Sequence, residues 1–395
     1  MLPAPAATWI LTLAATPIVI VSMHRLAAID QVNARSSHTA PTPRGGGIAV
    51  VLGLFGGVLA TVFGDGRADG PNLLPLSAAA ALFGLIGLAE DIGGVTAMRR
   101  LALHTAASFV VAAMAVLGAV LGDPEPRLLT VLLVTVAAPL WITGFVNVFN
   151  FMDGVNGISA VTAALAGATL AALGADRGAT AVSAGGTLVA AAALGFLPFN
   201  FPRARIFLGD VGSYALGAVL AVLTAQAVLA GVPPEAALAP SGLYLADTTA
   251  TFIRRIRAGE RWHTAHRSHA YQRLAVAGWS HTRVTVLVAA VTGVLIALSM
   301  AAYGPPATRL SADAACVLVL AAYLAAPRYA ARRARRPDPA TTAIPPAAAQ
   351  SAIPALPIQR APRATAPVRA GADRTPVDTG QPTGTSGQPA GRDVP

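Results

Sequence analysis

The sequence predicts an all-α polytopic membrane protein with about eleven transmembrane helices and an active site at its cytoplasmic face. Three observations predict it. Mean hydropathy is +0.61 and charged residues make up only 12% of the 395 residues, where a soluble domain carries about 25%. Apolar runs of about 20 residues, long enough to span the hydrocarbon core of a bilayer, recur along the chain. The segments between those runs divide their arginines unequally.

The spans are placed at 7–23, 45–63, 72–89, 101–121, 128–149, 157–173, 179–199, 211–231, 236–253, 282–303 and 311–327. No basic residue precedes the first run and Arg25 follows it, the reverse of a cleaved signal peptide. It reads as a retained helix with its N-terminus outside. The second run opens on Gly45-Gly46-Gly47, the third ends at Glu90-Asp91 and the fourth starts beyond Arg99-Arg100. The fifth carries Asn147 and Asn150 at its end, and the sixth is short. The seventh and eighth flank the polar loop around Gly209-Asp210, and the ninth contains Asp247. With this topology nineteen arginines up to Arg336 fall on inner segments, against four on outer ones, Arg67, Arg127, Arg177 and Arg309. That is the bias expected of a cytoplasmic side.

All 28 basic residues are arginine, and they give a net charge of +10. They are scattered over inner loops and a tail, which argues against nucleic acid as a partner. The single Cys316 excludes a disulfide framework or a thiolate metal site within one chain. From Pro337 onward Pro, Ala, Thr and Gly prevail without apolar periodicity. Residues 337–395 are expected to form a disordered cytoplasmic tail behind a membrane domain of residues 1–336.

The chemistry sits in the inner segments. Ionisable groups near lipid are costly and are kept there mainly for function. Arg44 and the three glycines after it could bring helix-start N–H groups to an anion, or simply form a loose lead into a helix. Glu90 and Asp91, as helix neighbours, point to different sides; pairing with Arg99 is the plainer reading of Glu90. Asn147, Asn150, Asp153 and Asn156 are spaced by three and can share one helix face. Asp210 falls near a helix start, where an anion is favoured and a magnesium ion can be held through oxygen. His263, His266 and His269 stand among Arg267, Tyr271 and Gln272. Without Cys or Asp beside them, they suit a diphosphate and a sugar better than zinc. Asp247 and Arg254, seven apart, read as a structural ion pair.

Taken in order from about residue 30 to 283, these segments resemble the polyprenyl-phosphate N-acetylhexosamine-1-phosphate transferase superfamily, glycosyltransferase family 4. The resemblance rests on His38-x-x-Pro41-Thr42-Pro43-Arg44-Gly45-Gly46, Glu90-Asp91, and Asn147-x-x-Asn150-x-x-Asp153-Gly154-x-Asn156-Gly157. It continues in Phe207-x-Gly209-Asp210-x-Gly212-Ser213 and His266-x-x-His269-x-x-Gln272. It implies transfer of a sugar 1-phosphate, with an N-acetylhexosamine such as that of UDP-N-acetylglucosamine as the sugar, from a UDP-sugar to undecaprenyl or decaprenyl phosphate in a bacterial inner membrane. UMP is released with Mg²⁺, or Mn²⁺ in its place, as the first step of a cell-envelope glycan.

By the same resemblance Asp91, Glu90, Asp153, His266 and His269 are catalytic. His38, Arg44, Asn147, Asn150, Asn156, Arg267 and Gln272 bind substrate, and Asp210 and Asp153 hold the metal. A homodimer is compatible with it. Where the family often has Asp-Asp this chain has Glu90-Asp91, and Asn156 replaces a common Asp. The histidines are spaced rather than adjacent. These departures resemble the O-antigen and exopolysaccharide-initiating branch more than the muramoyl-pentapeptide branch. The muramoyl-pentapeptide transferase itself, and a transporter or flippase, are the alternatives.

Overall fold

The structure is a computed structural model that describes residues 2–26, 28–30, 41–64, 70–122, 132–260 and 267–334. Among the described residues the chain is helical, apart from one antiparallel pairing of two-residue strands, β1 (Ile29–Asp30) and β2 (Thr42–Pro43). The helices are α1 (Ala4–Arg25), α2 (Gly47–Gly64), α3 (Gly70–Gly93), α4 (Ala97–Gly122), α5 (Ala138–Phe151), α6 (Ile158–Asp176), α7 (Thr180–Asn200), α8 (Gly209–Leu229), α9 (Pro234–Arg257), α10 (Ala270–Val276), α11 (His281–Ser299) and α12 (Pro306–Ala334). A π-helical turn, Leu133–Ala137, leads into α5.

Ten of these helices are long and apolar enough to cross a membrane. The expected span at 236–253 is the helix α9, whose polar face of Asp247, Thr251, Arg254, Arg255 and Arg257 keeps its composition below that mark. The protein is a multi-pass all-α membrane protein. The expected tail at 337–395 lies outside the described residues.

Lipid is as apolar as leucine, so membrane helices associate by close packing rather than by escape from water. The sequence supplies the small residues this needs. Gly167 of α6 and Gly186 of α7 lie backbone to backbone, where a Cβ on either would stand 2.7 or 2.6 Å from the other's carbonyl oxygen. Thr8 and Thr12 of α1 are fully buried against Gly57 and Gly53 of α2. The hydroxyl of Thr8 bonds back to Ala4 O at 2.9 Å, so one of these polar groups needs no outside partner. Of the ten, the most enclosed helix is α8, of which more than four-fifths is buried. It packs against α2, α3, α5, α6, α7 and α9. Its first turn therefore has a fixed position, and that turn carries Asp210.

Candidate active site

The C-terminal ends of α3 and α5 and the N-terminal ends of α2 and α8 meet at one end of the bundle. Backbone bonds hold them. Phe207 N–H donates to Pro43 O at 2.9 Å, Gly46 N–H to Phe207 O at 2.9 Å and Gly47 N–H to Leu208 O at 2.8 Å. Two of the three glycine N–H groups thus serve this pairing rather than an anion. A Cβ on Gly212 would stand 2.8 Å from Gly47 Cα, so glycine here is a matter of steric room and not of a loose loop.

Asp91, only 6% exposed, reaches from the last turn of α3 to the first turn of α8. Its Oδ1 accepts Asp210 N–H and its Oδ2 accepts Val211 N–H, both at 3.1 Å. The first N–H groups of a helix have no partner within it and carry partial positive charge. Asp91 satisfies two of them from a different helix. Gly209, at φ 74°, makes the approach possible, since a Cβ there would stand 2.5 Å from Asp91 Oδ2. The neighbouring Glu90 points elsewhere, as expected, but its cation is Arg100 at 3.4 Å rather than Arg99.

Asp210 is left free of the capping role and turns its carboxylate to α5. Asn150 Nδ2 donates to Asp210 Oδ1 at 2.7 Å and to Ser213 Oγ at 2.9 Å. One turn back, Asn147 Nδ2 donates to Thr143 O at 2.8 Å and lies 3.4 Å from Nδ1 of the buried His104. The wall of four residues spaced by three stops there, because α5 ends at Phe151. Asp153 sits in the following turn. Asn156 faces another way: its Nδ2 donates to Pro202 O at 3.2 Å and its carbonyl accepts from Thr285 Oγ1 at 2.8 Å. Asn200 ties that turn to the loop before α8, accepting Gly157 N–H at 2.7 Å and donating to Ile206 O at 2.9 Å.

Asp153 keeps partial exposure as a residue. Its carboxyl is pushed up to about 7, first by burial and then by the charge of Asp91. Arg44 is close enough for its charge to act on Asp91. Arg44 Nε and Arg267 Nη2 are buried and, among the described residues, have no hydrogen-bond partner. The end of the bundle thus offers oxygen donors suited to a hard cation beside guanidinium groups suited to phosphate. No group of three His, Cys, Asp or Glu residues able to hold a metal occurs among the described residues.

The histidine segment is only partly described. His38, His263 and His266 lie outside the described residues. His269 is 2% exposed and precedes α10, and its N–H donates to Gln272 Oε1 at 3.3 Å. Tyr271, which stands in the histidine segment without an expected role, donates its hydroxyl to Phe151 O at 2.9 Å and covers Gly154. The sequence signal for it is its place among the histidines and Gln272. Asp247 does not pair with Arg254 as expected. It accepts from Ala270 N–H at 2.8 Å and from the Tyr323 hydroxyl at 2.8 Å, while Arg254 donates to Thr251 Oγ1 at 3.0 Å and to Ser268 O.

The protein-family model described as glycosyl transferase family 4 matches residues 73–228, the stretch from α3 through α8. The chain is 28% identical over 289 residues to a probable undecaprenyl-phosphate N-acetylglucosaminyl 1-phosphate transferase of Bacillus subtilis, covering 72% of this chain and 79% of the relative. It is 31% identical over 311 residues to decaprenyl-phosphate N-acetylglucosaminephosphotransferase of Mycobacterium tuberculosis, covering 71% and 76%. A phospho-N-acetylmuramoyl-pentapeptide-transferase of Symbiobacterium thermophilum matches at 34% over 236 residues, covering 53% and 69%.

Proposed function

Because the chain belongs to glycosyl transferase family 4, the polyprenyl-phosphate N-acetylhexosamine-1-phosphate transferases, we propose that it moves N-acetylglucosamine 1-phosphate from UDP-N-acetylglucosamine to undecaprenyl or decaprenyl phosphate, releasing UMP. It is a membrane phosphotransferase, and the transporter and flippase alternatives fall away. The observation that carries the reading is the meeting of Asp91, Asp210 and Asn150 at the start of α8, beside Arg44. The excess of arginine on the segments at that end supports a cytoplasmic active site in the bacterial inner membrane. It also supports initiation of a cell-envelope glycan from a cytosolic nucleotide sugar. The homodimer and the division into residues 1–336 and 337–395 belong to the same reading.

In the reaction, an oxygen of the lipid phosphate forms a bond to the sugar-side phosphorus. The bond from that phosphorus to the bridging oxygen breaks, and its electron pair leaves with UMP. A phosphate monoester is already ionised near neutral pH, so placing the anions matters more than removing a proton. Arg44 and Arg267 have N–H groups to give to phosphate oxygens. Asn150 fixes the carboxylate of Asp210, and Asp91 fixes its backbone. Glu90 is held by Arg100 with one oxygen and keeps Oε2 without a partner among the described residues.

Mg²⁺, or Mn²⁺ in its place, is the cofactor in this reading, held by Asp210 and Asp153. The residues fit it. Mg²⁺ needs only one or two carboxylates, completing its shell with water and substrate phosphate. A carboxyl raised to about 7 by burial, and further by the negative charge of Asp91, is one that a cation would ionise. When bound, the ion would offset the negative charge that gathers on the diphosphate in the transition state. The test is purified protein in liposomes, given UDP-N-acetylglucosamine and either polyprenyl phosphate. UMP release and a lipid-linked product of the expected mass are the predicted outcome. Folded protein that releases no UMP with any polyprenyl phosphate would refute the proposal.

A further inference from the structure

Asp247 is a fully buried carboxylate in the third-last long helix, and the chemistry above makes no use of it. A buried charge inside a membrane helix is expensive and needs several partners. It has five. Oδ1 accepts from Ala270 N–H at 2.8 Å and from Thr251 Oγ1 at 3.3 Å, and lies 3.4 Å from His269 Nδ1. Oδ2 accepts from Tyr271 N–H at 3.3 Å and from the Tyr323 hydroxyl of α12 at 2.8 Å. Asp247 therefore does for α10 what Asp91 does for α8, satisfying the first N–H groups of a helix from another segment. The helix it holds has seven residues, too few to be stable alone. A buried charge is a large outlay if its only product is one short turn. The more telling feature is what that turn carries. Its first residues follow Arg267 and His269, and Tyr271 runs from the Asp247 carboxylate to Phe151 O, two residues from Asp153. A Cβ on Gly154 would stand 3.0 Å from Tyr271 Cζ, so the ring and the Asp153-Gly154 turn are in direct contact.

We propose that Asp247 is a positioning residue for the transfer reaction, setting the Arg267–Gln272 segment against the Asp153 turn through Tyr271. This rests on the transferase reading. Arg254, seven residues on, braces the same segment from behind through Ser268 O and Thr251 Oγ1. Tyr323 brings in the last helix, so α9, α10 and α12 all converge on one carboxylate.

The test uses Asp247→Asn in the full chain, in liposomes, with two independent measurements. An Asn side chain keeps one acceptor oxygen and turns an NH₂ group toward a donor. Amide hydrogen exchange at Ala270 and Tyr271 should speed up at least several-fold. The turnover number per folded molecule should fall on the order of 10-fold, the scale of lost orienting partners, while KM for polyprenyl phosphate stays unchanged. Tyr323→Phe removes one of the five contacts and should move both readouts in the same direction by less, which keeps the test open if Asp247→Asn does not fold. In a double-mutant cycle, Tyr271→Phe and Asp247→Asn should be less than additive on turnover. Faster exchange with unchanged turnover would make Asp247 merely structural and overturn the proposal, as would unchanged exchange. Wild-type protein that releases no UMP would sink the transferase reading instead, and the exchange measurement would still decide whether Asp247 anchors α10.

Discussion

Asp91→Asn separates holding a helix from doing chemistry. The native carboxylate takes two N–H groups at the start of α8, one on each oxygen. The amide keeps one oxygen, so one of Asp210 N–H and Val211 N–H faces an NH₂ group. Losing a hydrogen bond to a charged acceptor in a buried site costs about 1.5–3 kcal/mol. Losing an anion at a helix start adds about 0.5 kcal/mol. Relief of repulsion offsets part of this, because Asp91 acts on both Asp153 and Asp210. At the short range of a partly solvated site that relief is on the order of 1 kcal/mol. The net loss is about 2 kcal/mol, which for a chain of this size lowers the melting midpoint by about 2–3 °C. The assay is heat inactivation in detergent, with turnover measured on the surviving folded fraction. Asp210→Asn is the control: an amide oxygen can still accept from Asn150, so its midpoint should stay within about 1 °C by the same reckoning. If Asp91→Asn leaves the midpoint where it was and abolishes turnover, Asp91 is not the clamp that sets α8, and the argument from its two bonds is wrong.

Asp210→Asn should reduce transfer by about two to three orders of magnitude, as loss of a group that stabilises transition-state charge does, with membrane insertion intact; near-normal turnover in Mg²⁺ would remove it from the metal site. The Asp153 carboxyl lies near 7 in the folded chain against an ordinary 3.8, so it is mostly protonated at pH 6 and ionised at pH 8. A cation must displace that proton, and the Mg²⁺ concentration for half-maximal activity should fall as pH rises through 7. The stability linkage runs the other way: the raised value favours the fold fully below about 3.8, and that contribution is lost as pH rises through about 7. With the two donors at equal concentration, the N-acetylglucosamine lipid should outweigh the muramoyl-pentapeptide lipid by mass; the reverse would move the chain to the other branch. Truncation after Arg336 should leave turnover unchanged, and loss of activity in well-inserted protein would give residues 337–395 a role.

The spans were legible because the hydrocarbon core imposes a length and a composition on every one of them, and α9 shows the limit of that signal. Its polar face belongs to the site end, so composition understates a helix of 24 residues. The segments that meet at the site were legible as motifs, but their partners were not. Spacing by three implies one face only while the helix continues, and α5 stops at Phe151, sending Asn156 to Pro202 rather than to Asp210. Glycines next to Arg44 looked like a ligand cradle, yet two of their N–H groups pair with Phe207 and Leu208. The same residue type meets a need for close approach in either case, and sequence alone does not say what approaches. Asp91 and Asp247 were the hardest to read. Each satisfies N–H groups more than twenty residues away in sequence, and no local pattern carries that information.

The partners of Asp91 also explain how a site so rich in acid can be built at a membrane boundary. Glu90, Asp91, Asp153 and Asp210 bring four carboxyl groups to one end of the bundle. Asp91 is answered by helix N–H groups and Arg44, and Glu90 by Arg100. Asp210 receives an amide from Asn150, and Asp153 holds its proton up to about 7. The first pair is therefore compensated by the protein itself, and the second pair only in part. Repulsion between carboxylates is stronger in a partly desolvated site than in water, and the incomplete compensation falls on the two residues assigned to the metal. A substrate carrying a diphosphate would meet a negative surface there without a cation, and a nearly neutral one with it. The fold spends its own dipoles on Asp91, so that the charge left over sits on Asp210 and Asp153.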